Sequence, residues 1–288
     1  MILSTVLIVV RRLKHKMKPI IKWVGGKSQC LDTIRELIPK DYRKYYEPFL
    51  GGGAVLLDLC PNEAEVNDIN PELINMYLQV RDNIEEVIAH LADMDYFHEH
   101  SGTDPKEIYY DVREAFNNRR GSNTPVQAAR FIYLNKHCFN GLYRVNSKGD
   151  FNVPFNGKLT GASFHPEHLR AVSKQLENVE FKCGDFEQSA KGINPKDFIF
   201  IDSPYAPLTP TSFVDYTKEG FAYEDHVRLS DFYKELSDLG VYCMLTNHDT
   251  ELIRDLYRGF NFTEVDVRRS INRNGDNRKG KEVIITNF

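Results

Sequence analysis

The chain lacks any paired-cysteine framework. Its five cysteines, Cys30, Cys60, Cys138, Cys183 and Cys243, are odd in number and nowhere in Cys-x-x-Cys spacing. That excludes a disulfide scaffold and reads as small buried residues in a reducing compartment. Histidine does not supply a metal centre either. His98 with His100, or His165 with His168, would need distant partners, so no metal is expected. Long apolar runs are also missing. The run from Ile2 to Val10 is too short to span a bilayer, and Arg11, Arg12, Lys14 and Lys16 follow it where a signal peptide would carry its charge ahead. Residues 1–16 are therefore expected to be an extension, with Met17 available as a second start. Neither sign of charge dominates: 37 Lys and Arg against 41 Asp and Glu give a net charge of −4. Whole-surface attraction to a polyanion is excluded, but local basic grooves are not. A cytoplasmic protein with no membrane association is expected, a monomer or weak dimer with no obligatory protein partner.

Two nucleotide-binding signatures are present only in part. Gly25-Gly26-Lys27-Ser28 ends like a P-loop, but the loop's first glycine would fall at Ile21. Gly51-Gly52-Gly53 begins like a dinucleotide fingerprint, but its third glycine would fall at Leu56. What the 288 residues do contain is an alternation of short apolar runs and helical periods, which predicts an α/β fold in one large domain or in a core domain carrying an insert. Trp23, the single tryptophan, stands beside the Gly25-Gly26 turn and Lys27. It reads either as a lid over a flat ligand or as a ring packed at a domain edge. A helix is predicted from Gln29 to Leu37. A strand at Tyr45-Tyr46-Glu47 runs through Pro48-Phe49-Leu50 into the glycine turn and a helix from Val55 to Leu59, and the glycines allow close backbone approach to a ligand. A second strand, Glu63 to Val66, leads to Asp68. Its carboxylate is placed either to accept ribose hydroxyls or to cap a helix from Pro71 to Val80.

Helices are predicted at Ile84 to Leu91, Pro105 to Phe116 and Pro125 to Leu134, with no strand among them, as in an insertion. A β-hairpin is predicted across residues 134–155 around the Ser147-Lys148-Gly149-Asp150 turn. Its aromatics interleave with Asn135, Lys136, Asn140, Arg144, Asn146 and Lys148, a composition suited to nucleic acid or to a solvated hairpin. Strand Val179 to Lys182 then leads to Gly184-Asp185-Phe186, an acid and a ring able to hold an adenine. The fully apolar Phe198-Ile199-Phe200-Ile201 leads to Asp202-Ser203-Pro204-Tyr205. Such a run reads as a buried central strand whose carboxyl end is where open α/β sheets hold ligands. A helix from Tyr223 to Leu239, a strand from Val241 to Thr246 tipped by Asn247-His248-Asp249, a helix from Thr250 to Tyr257 and strands at 262–267 and 283–286 complete the pattern. Between the last two lies a basic loop with Arg268, Arg269, Arg273, Arg278, Lys279 and Lys281, either a phosphate-binding segment or a solvated charge run.

Taken together, Trp23-Val24-Gly25-Gly26-Lys27, Glu47-Pro48-Phe49-Leu50-Gly51-Gly52-Gly53, Asn67-Asp68-Ile69-Asn70, Phe139-Asn140-Gly141-Leu142-Tyr143-Arg144, Phe151-Asn152-Val153-Pro154-Phe155, Asp202-Ser203-Pro204-Tyr205, Thr246-Asn247-His248-Asp249-Thr250 and Arg268-Arg269-Ser270-Ile271 resemble the Dam family of DNA adenine methyltransferases. The resemblance covers nearly everything after Met17. It implies a Rossmann-like class I methyltransferase sheet formed by 17–83 and 173–288, with a helical and β-hairpin target-recognition insert at 84–172. It further implies S-adenosylmethionine as methyl donor and double-stranded DNA as partner, with methylation on the exocyclic nitrogen of a flipped adenine in GATC. Matched residue by residue, the cofactor would meet Trp23, Gly25, Gly26, Lys27, Phe49, Gly51, Gly53, Asp68, Asp185, Phe186 and Asp202. DNA would meet Lys22, Phe139, Asn140, Leu142 and Arg144, and the basic loop adds Arg268, Arg269, Arg273 and Lys279. Asp202, Ser203, Pro204 and Tyr205 would be catalytic. The chain departs from the family at Ser203, where the motif Asp-Pro-Pro-Tyr carries proline. Serine keeps the main-chain carbonyl but loses the fixed φ and gains an N–H. Two outcomes follow: an active enzyme, or a weakened or inactive DNA-binding member of the fold.

Overall fold

A computed structural model describes residues 17–158, 161–208, 221–268 and 279–288. The extension at 1–16 and Arg269, Arg273 and Arg278 of the basic loop lie outside the described residues, as do the side chains of Arg268 and Lys279. Seven strands form one sheet: β1 (Tyr45–Glu47), β2 (Ala64–Asp68), β3 (Val179–Cys183), β4 (Phe198–Ile201), β5 (Tyr242–His248), β6 (Asn261–Arg268) and β7 (Lys279–Thr286). Their order is β3-β2-β1-β4-β5-β7-β6. β1 runs parallel to β2 and β4, and β4 parallel to β5, whereas β7 is antiparallel to both β5 and β6. This is the expected Rossmann-like methyltransferase sheet. Among the described residues no helix is long and apolar enough to cross a membrane.

Strand order reverses between β1 and β4, so the chain leaves the two strands in opposite directions and opens a crevice at their carboxyl ends. β4 has partners on both edges and cover on both faces. All four of its residues are buried, which is why its sequence is apolar without alternation. β5 continues two residues beyond the predicted end, taking in Asn247 and His248, because β7 pairs with it as far as His248 opposite Glu282.

The chain divides into two compact units. Among the described residues, the first gathers 17–26, Gly51–Cys60 and Asn70–Cys183, and the second Lys27–Leu50, Pro61–Ile69 and 184–288. In the first, helix Pro125–His137 is buried along most of its length and is surrounded by helices Pro71–Asp82, Ile84–His100 and Pro105–Asn117. Pro71, Pro105 and Pro125 each open a helix, where a missing N–H costs nothing. Helix Ile84–His100 outruns its predicted end at Leu91 by more than two turns. Its second half is too polar for apolar periodicity to reveal and is held by a polar contact: buried His98 meets the Tyr133 hydroxyl through Nδ1 at 2.7 Å and stacks on His137 at 4.7 Å.

The hairpin predicted across 134–155 is corrected to a looser form. Its strands reduce to two isolated antiparallel bridges, Cys138 with Phe155 and Val145 with Phe151. A 3-10 turn at Phe139–Gly141, with Asn140 and Gly141 both at positive φ, breaks the ladder. The turn at its tip does form. The Asn146 side chain accepts from the backbone N–H groups of Lys148 and Asp150, a self-contained turn that spends this asparagine on its own backbone.

In the second unit, alternating residues of the central strands feed one core: Ile199 and Ile201 of β4, Cys243 and Leu245 of β5, and Val283 and Ile285 of β7, under Leu229, Phe232, Tyr233 and Leu236 of helix Tyr223–Asp238. The period of two is that of pleated strands. His226 of the same helix is also buried, at 1% exposure, and burial holds its imidazole pKa down at about 4 from an ordinary 6.5. Below about pH 6.5 the unfolded chain therefore takes up a proton that the folded chain refuses until about pH 4. Stability is lost as pH falls through that window, by about 3 kcal/mol in all. Urea unfolding at pH 7.0, 5.5 and 4.5 is expected to show this slope, and His226→Leu to flatten it. An unchanged slope in the variant would place the acid sensitivity elsewhere.

Candidate active site

β4 delivers Asp202 to the crevice at its carboxyl end, where its side chain is 20% exposed. Lys27 Nζ lies 2.6 Å from Asp202 Oδ1, and the Thr246 hydroxyl donates to the same oxygen at 2.9 Å. Lys27 leaves a 3-10 turn, Lys27–Gln29, and is 4% exposed. It is a buried counter-ion and not the surface lysine of a phosphate loop. Burial pushes the Asp202 carboxyl above the ordinary carboxylate range, against the opposite pull of the Lys27 charge and the hydrogen bonds from Lys27 and Thr246.

The loop after Asp202 is tied down on its far side. The Asn247 carboxamide, itself fully buried, accepts from Ala206 N–H at 2.8 Å. His248 Nδ1 lies 2.8 Å from Ala206 O. A carbonyl can only accept, so Nδ1 carries the proton. Tyr205 donates its hydroxyl to Glu282 Oε2 at 3.0 Å. Its ring lies under Lys27 Nζ, 4.7 Å from the centroid, with the His248 imidazole edge-on at 4.8 Å. Ser203 is 2% exposed, and its hydroxyl has no partner among the described residues. Pro204 is exposed. Sequence reasoning quoted Thr246-Asn247-His248 without giving these residues a task, and it missed Glu282 altogether. The task of the first three follows from pairing that keeps β5 regular to its end, and Glu282 carries no signal beyond its place in a strand.

A second set of contacts laces the neighbouring strand ends. Buried Asn67 donates through Nδ2 to Pro48 O at 3.0 Å and to Gly184 O at 2.9 Å, while its own carbonyl accepts from Leu50 N–H at 2.8 Å. Gly184 N–H reaches Asp68 O at 3.2 Å. Asp68 therefore ends β2 at a fixed position. The helix that follows is capped by Asn70, which accepts from Glu72 and Leu73 N–H, so the capping alternative for Asp68 falls away. Ile69 beside it is 76% exposed. Asp185 caps the short helix Phe186–Ser189 through Glu187 N–H and meets Arg228 at 2.9 Å. Phe186 is a core residue, stacked on Phe49 at 5.5 Å and covered by the Arg228 guanidinium. Two acceptor carboxylates and an exposed aliphatic side chain at laced strand ends have the chemistry to fit a nucleoside whose hydroxyls and amine donate.

In the first unit, Trp23 rests on the glycine turn. A Cβ on Gly51, at φ +49°, would stand 2.8 Å from Trp23 Cδ1, and one on Gly52 would stand 3.0 Å from Trp23 Cβ. The turn is glycine because an indole lies against it. Trp23 also stacks on Tyr143 at 5.6 Å, so one side of the ring is packed within this unit. Gly25 and Gly53 adopt positive φ, and Gly26 leaves ordinary space around it. Asn135 joins two stretches expected to meet DNA. Its carboxamide exchanges hydrogen bonds with Lys22 N and O at 2.9 and 2.8 Å and donates to Gly141 O at 3.0 Å. Asn135 is thus a buried clamp, its carboxamide spent on Lys22 and Gly141. It brings Lys22 over Gly141, beside exposed Phe139 and Asn140 and half-buried Leu142. Arg144 is exposed, its Nε fixed on Asn152 Oδ1 at 2.7 Å.

With this geometry in place, comparison with known proteins is decisive. The family model of the D12 class N6 adenine-specific DNA methyltransferase matches residues 23–271. The chain belongs to this family. Among its relatives, the Type II methyltransferase M1.LlaDCHI of Lactococcus lactis subsp. cremoris is 39% identical, the match covering 97% of this chain and 98% of the relative. The Type II methyltransferase M.MjaIII of Methanocaldococcus jannaschii is 40% identical over 95% and 100%. A DNA adenine methylase of Haemophilus influenzae is 35% identical over 95% and 94%. As a member of the D12 class the protein is a DNA adenine-N6 methyltransferase whose methyl donor is S-adenosylmethionine. The contact between Trp23 and Gly51 gives it an internal probe. Gly51→Ala is expected to cost the methyltransferase about 1–3 kcal/mol, from the strained φ and the displaced indole together. Denaturation followed by tryptophan fluorescence measures this, and equal midpoints for the two chains would show that the ring moves aside freely.

Proposed function

We propose that this methyltransferase acts on adenine flipped out of double-stranded DNA within GATC, and that it is active despite Ser203. Adenine's amino nitrogen is a poor nucleophile because its lone pair is delocalised into the ring. Two acceptors on one side, Asp202 and the main-chain carbonyl of Ser203, take its two hydrogens and favour a pyramidal nitrogen. Bound S-adenosylmethionine supplies an electrophilic methyl group, and Asp202 or water takes the proton that the amine then releases. The observation that carries this reading is the Asp202 site. Among the described residues both partners of the carboxylate fall on Oδ1, which leaves Oδ2 to accept from the amine, and buried Lys27 balances the charge of the partly buried carboxylate. Activity with serine at 203 is supported by the bonds from Asn247 and His248 to Ala206, which restrain the loop where proline would otherwise stiffen it.

Unstacking a base costs a few kcal/mol, and the Tyr205 ring can return about 1–3 kcal/mol by stacking on it. Phe139, 51% exposed, fills the gap left in the duplex. Lys22, Asn140, Leu142 and Arg144 meet bases, and Arg268, Arg269, Arg273 and Lys279 meet phosphates. Asp68 takes the ribose hydroxyls of the cofactor and Asp185 its adenine amine, with Trp23, Gly25, Gly26, Phe49, Gly51, Gly53 and Phe186 shaping or supporting the surfaces around it. The enzyme works in the cytoplasm as a monomer or weak dimer.

Methylating mixed-sequence DNA and mapping the modified adenines tests the proposal. Modification confined to GATC is expected, while modification of another sequence, or none, would refute it. Asp202→Ala is expected to lose about a hundredfold to a thousandfold or more in single-turnover methylation with DNA binding retained. Turnover at the parent rate would remove Asp202 from its role. Arg144→Ala is expected to relax discrimination at one base pair by about 1–3 kcal/mol. An equal loss on every sequence would instead make Arg144 a phosphate contact.

A further inference from the structure

We infer that Glu282 is a positioning residue of the catalytic loop, holding the Tyr205 hydroxyl and through it the backbone that presents the Ser203 carbonyl. What the loop does rests on the reading above; how it is held rests on the geometry below. Glu282 lies on β7, paired to His248 of β5 on one side and to Val265 of β6 on the other. Its backbone is therefore fixed from both edges. Its carboxylate is half-buried, and Oε2 accepts from the Tyr205 hydroxyl at 3.0 Å and from the Cys30 thiol at 3.7 Å.

The loop can be followed one residue at a time. Asp202 is held by Lys27 and Thr246. Pro204 has a fixed φ. Tyr205 is held at its far end by Glu282, and Ala206 is held at both N–H and C=O by Asn247 and His248. Of the five, Ser203 alone has neither a tether among the described residues nor a ring-fixed φ, and its hydroxyl has no partner there. A phenol anchored at its oxygen, in a residue whose neighbour is anchored at its backbone, cannot swing about χ1. The Glu282 bond thereby restrains the peptide on the far side of Ser203. The carboxylate also adds charge. Among the described residues the groups that bear on Asp202 include Lys27, Thr246, Glu282, Tyr205, Cys30 and Tyr45. Among them Glu282 opposes Lys27 and favours the protonated form of Asp202.

The test is single-turnover methylation of a GATC duplex at saturating S-adenosylmethionine. Glu282→Ala and Tyr205→Phe are each expected to slow transfer about tenfold, the worth of one hydrogen bond to a charged group. The double variant is expected to be no slower than the slower single one, because both remove the same contact. Glu282→Gln keeps an acceptor oxygen and is expected to recover most of the rate. It should also move the acid limb of the pH–rate profile to lower pH, because a negative charge beside Asp202 has gone. An unchanged rate in Glu282→Ala, or multiplicative losses in the double variant, would overturn the inference. Should the parent chain methylate nothing, the functional reading fails while the tether remains testable. The Cζ carbon resonance of Tyr205 in 13C-tyrosine-labelled protein, assigned by its loss in Tyr205→Phe, is expected to shift in Glu282→Ala. A resonance that stays put would overturn the tether whether or not the chain is active.

Discussion

Everything at the crevice depends on an ion pair. An unbroken apolar strand carries a carboxylate to a partly buried position, where burial favours its protonated form and a cation nearby opposes that pull. Lys27 is that cation, 2.6 Å from Asp202. Because its ammonium also covers the Tyr205 ring, one charge fixes both the acceptor and the aromatic surface beside it. Lys27 and the buried run before Asp202 are far apart in sequence and meet in this single contact.

Much of the sheet was legible because its signal is local. An apolar run without alternation means a strand covered on both faces, and Phe198–Ile201 was bounded correctly for that reason. Proline at the first helical position likewise placed the starts at Pro71, Pro105 and Pro125. Helix ends were less legible. Ile84–His100 continues on a histidine pair, a contact between helices that no period within one helix encodes. The hairpin at 134–155 failed for a related reason. Alternation predicted a ladder, while two consecutive residues at positive φ decide otherwise.

At the site, the positions of the candidate residues were legible and their supports were not. Asp202, Lys27, Asp68 and Tyr205 stand at strand ends or turns where sequence pattern points. Asn67, Asn135, Asn247 and Glu282 act through partners as distant in sequence as 117, 113, 41 and 77 residues. Composition even misdirects. Asn135 and Asn146 look like base-reading amides, yet each is spent on backbone groups of its own unit. The Trp23 indole that packs against the glycine turn was likewise out of reach of local pattern, because the two are more than twenty residues apart.

The Asn67 carboxamide also bears on how binding is costed. One buried side chain bonds the backbone at Pro48 and Gly184, and its own peptide bonds Leu50. Segments that could have been independent loops therefore behave as one rim, ordered when the chain folds and not when a ligand arrives. On the proposed reading a nucleoside would meet a rim whose backbone is already set, its affinity spared the entropy of arranging it, and discrimination among nucleosides would pass from loop closure to the fixed spacing of the rim.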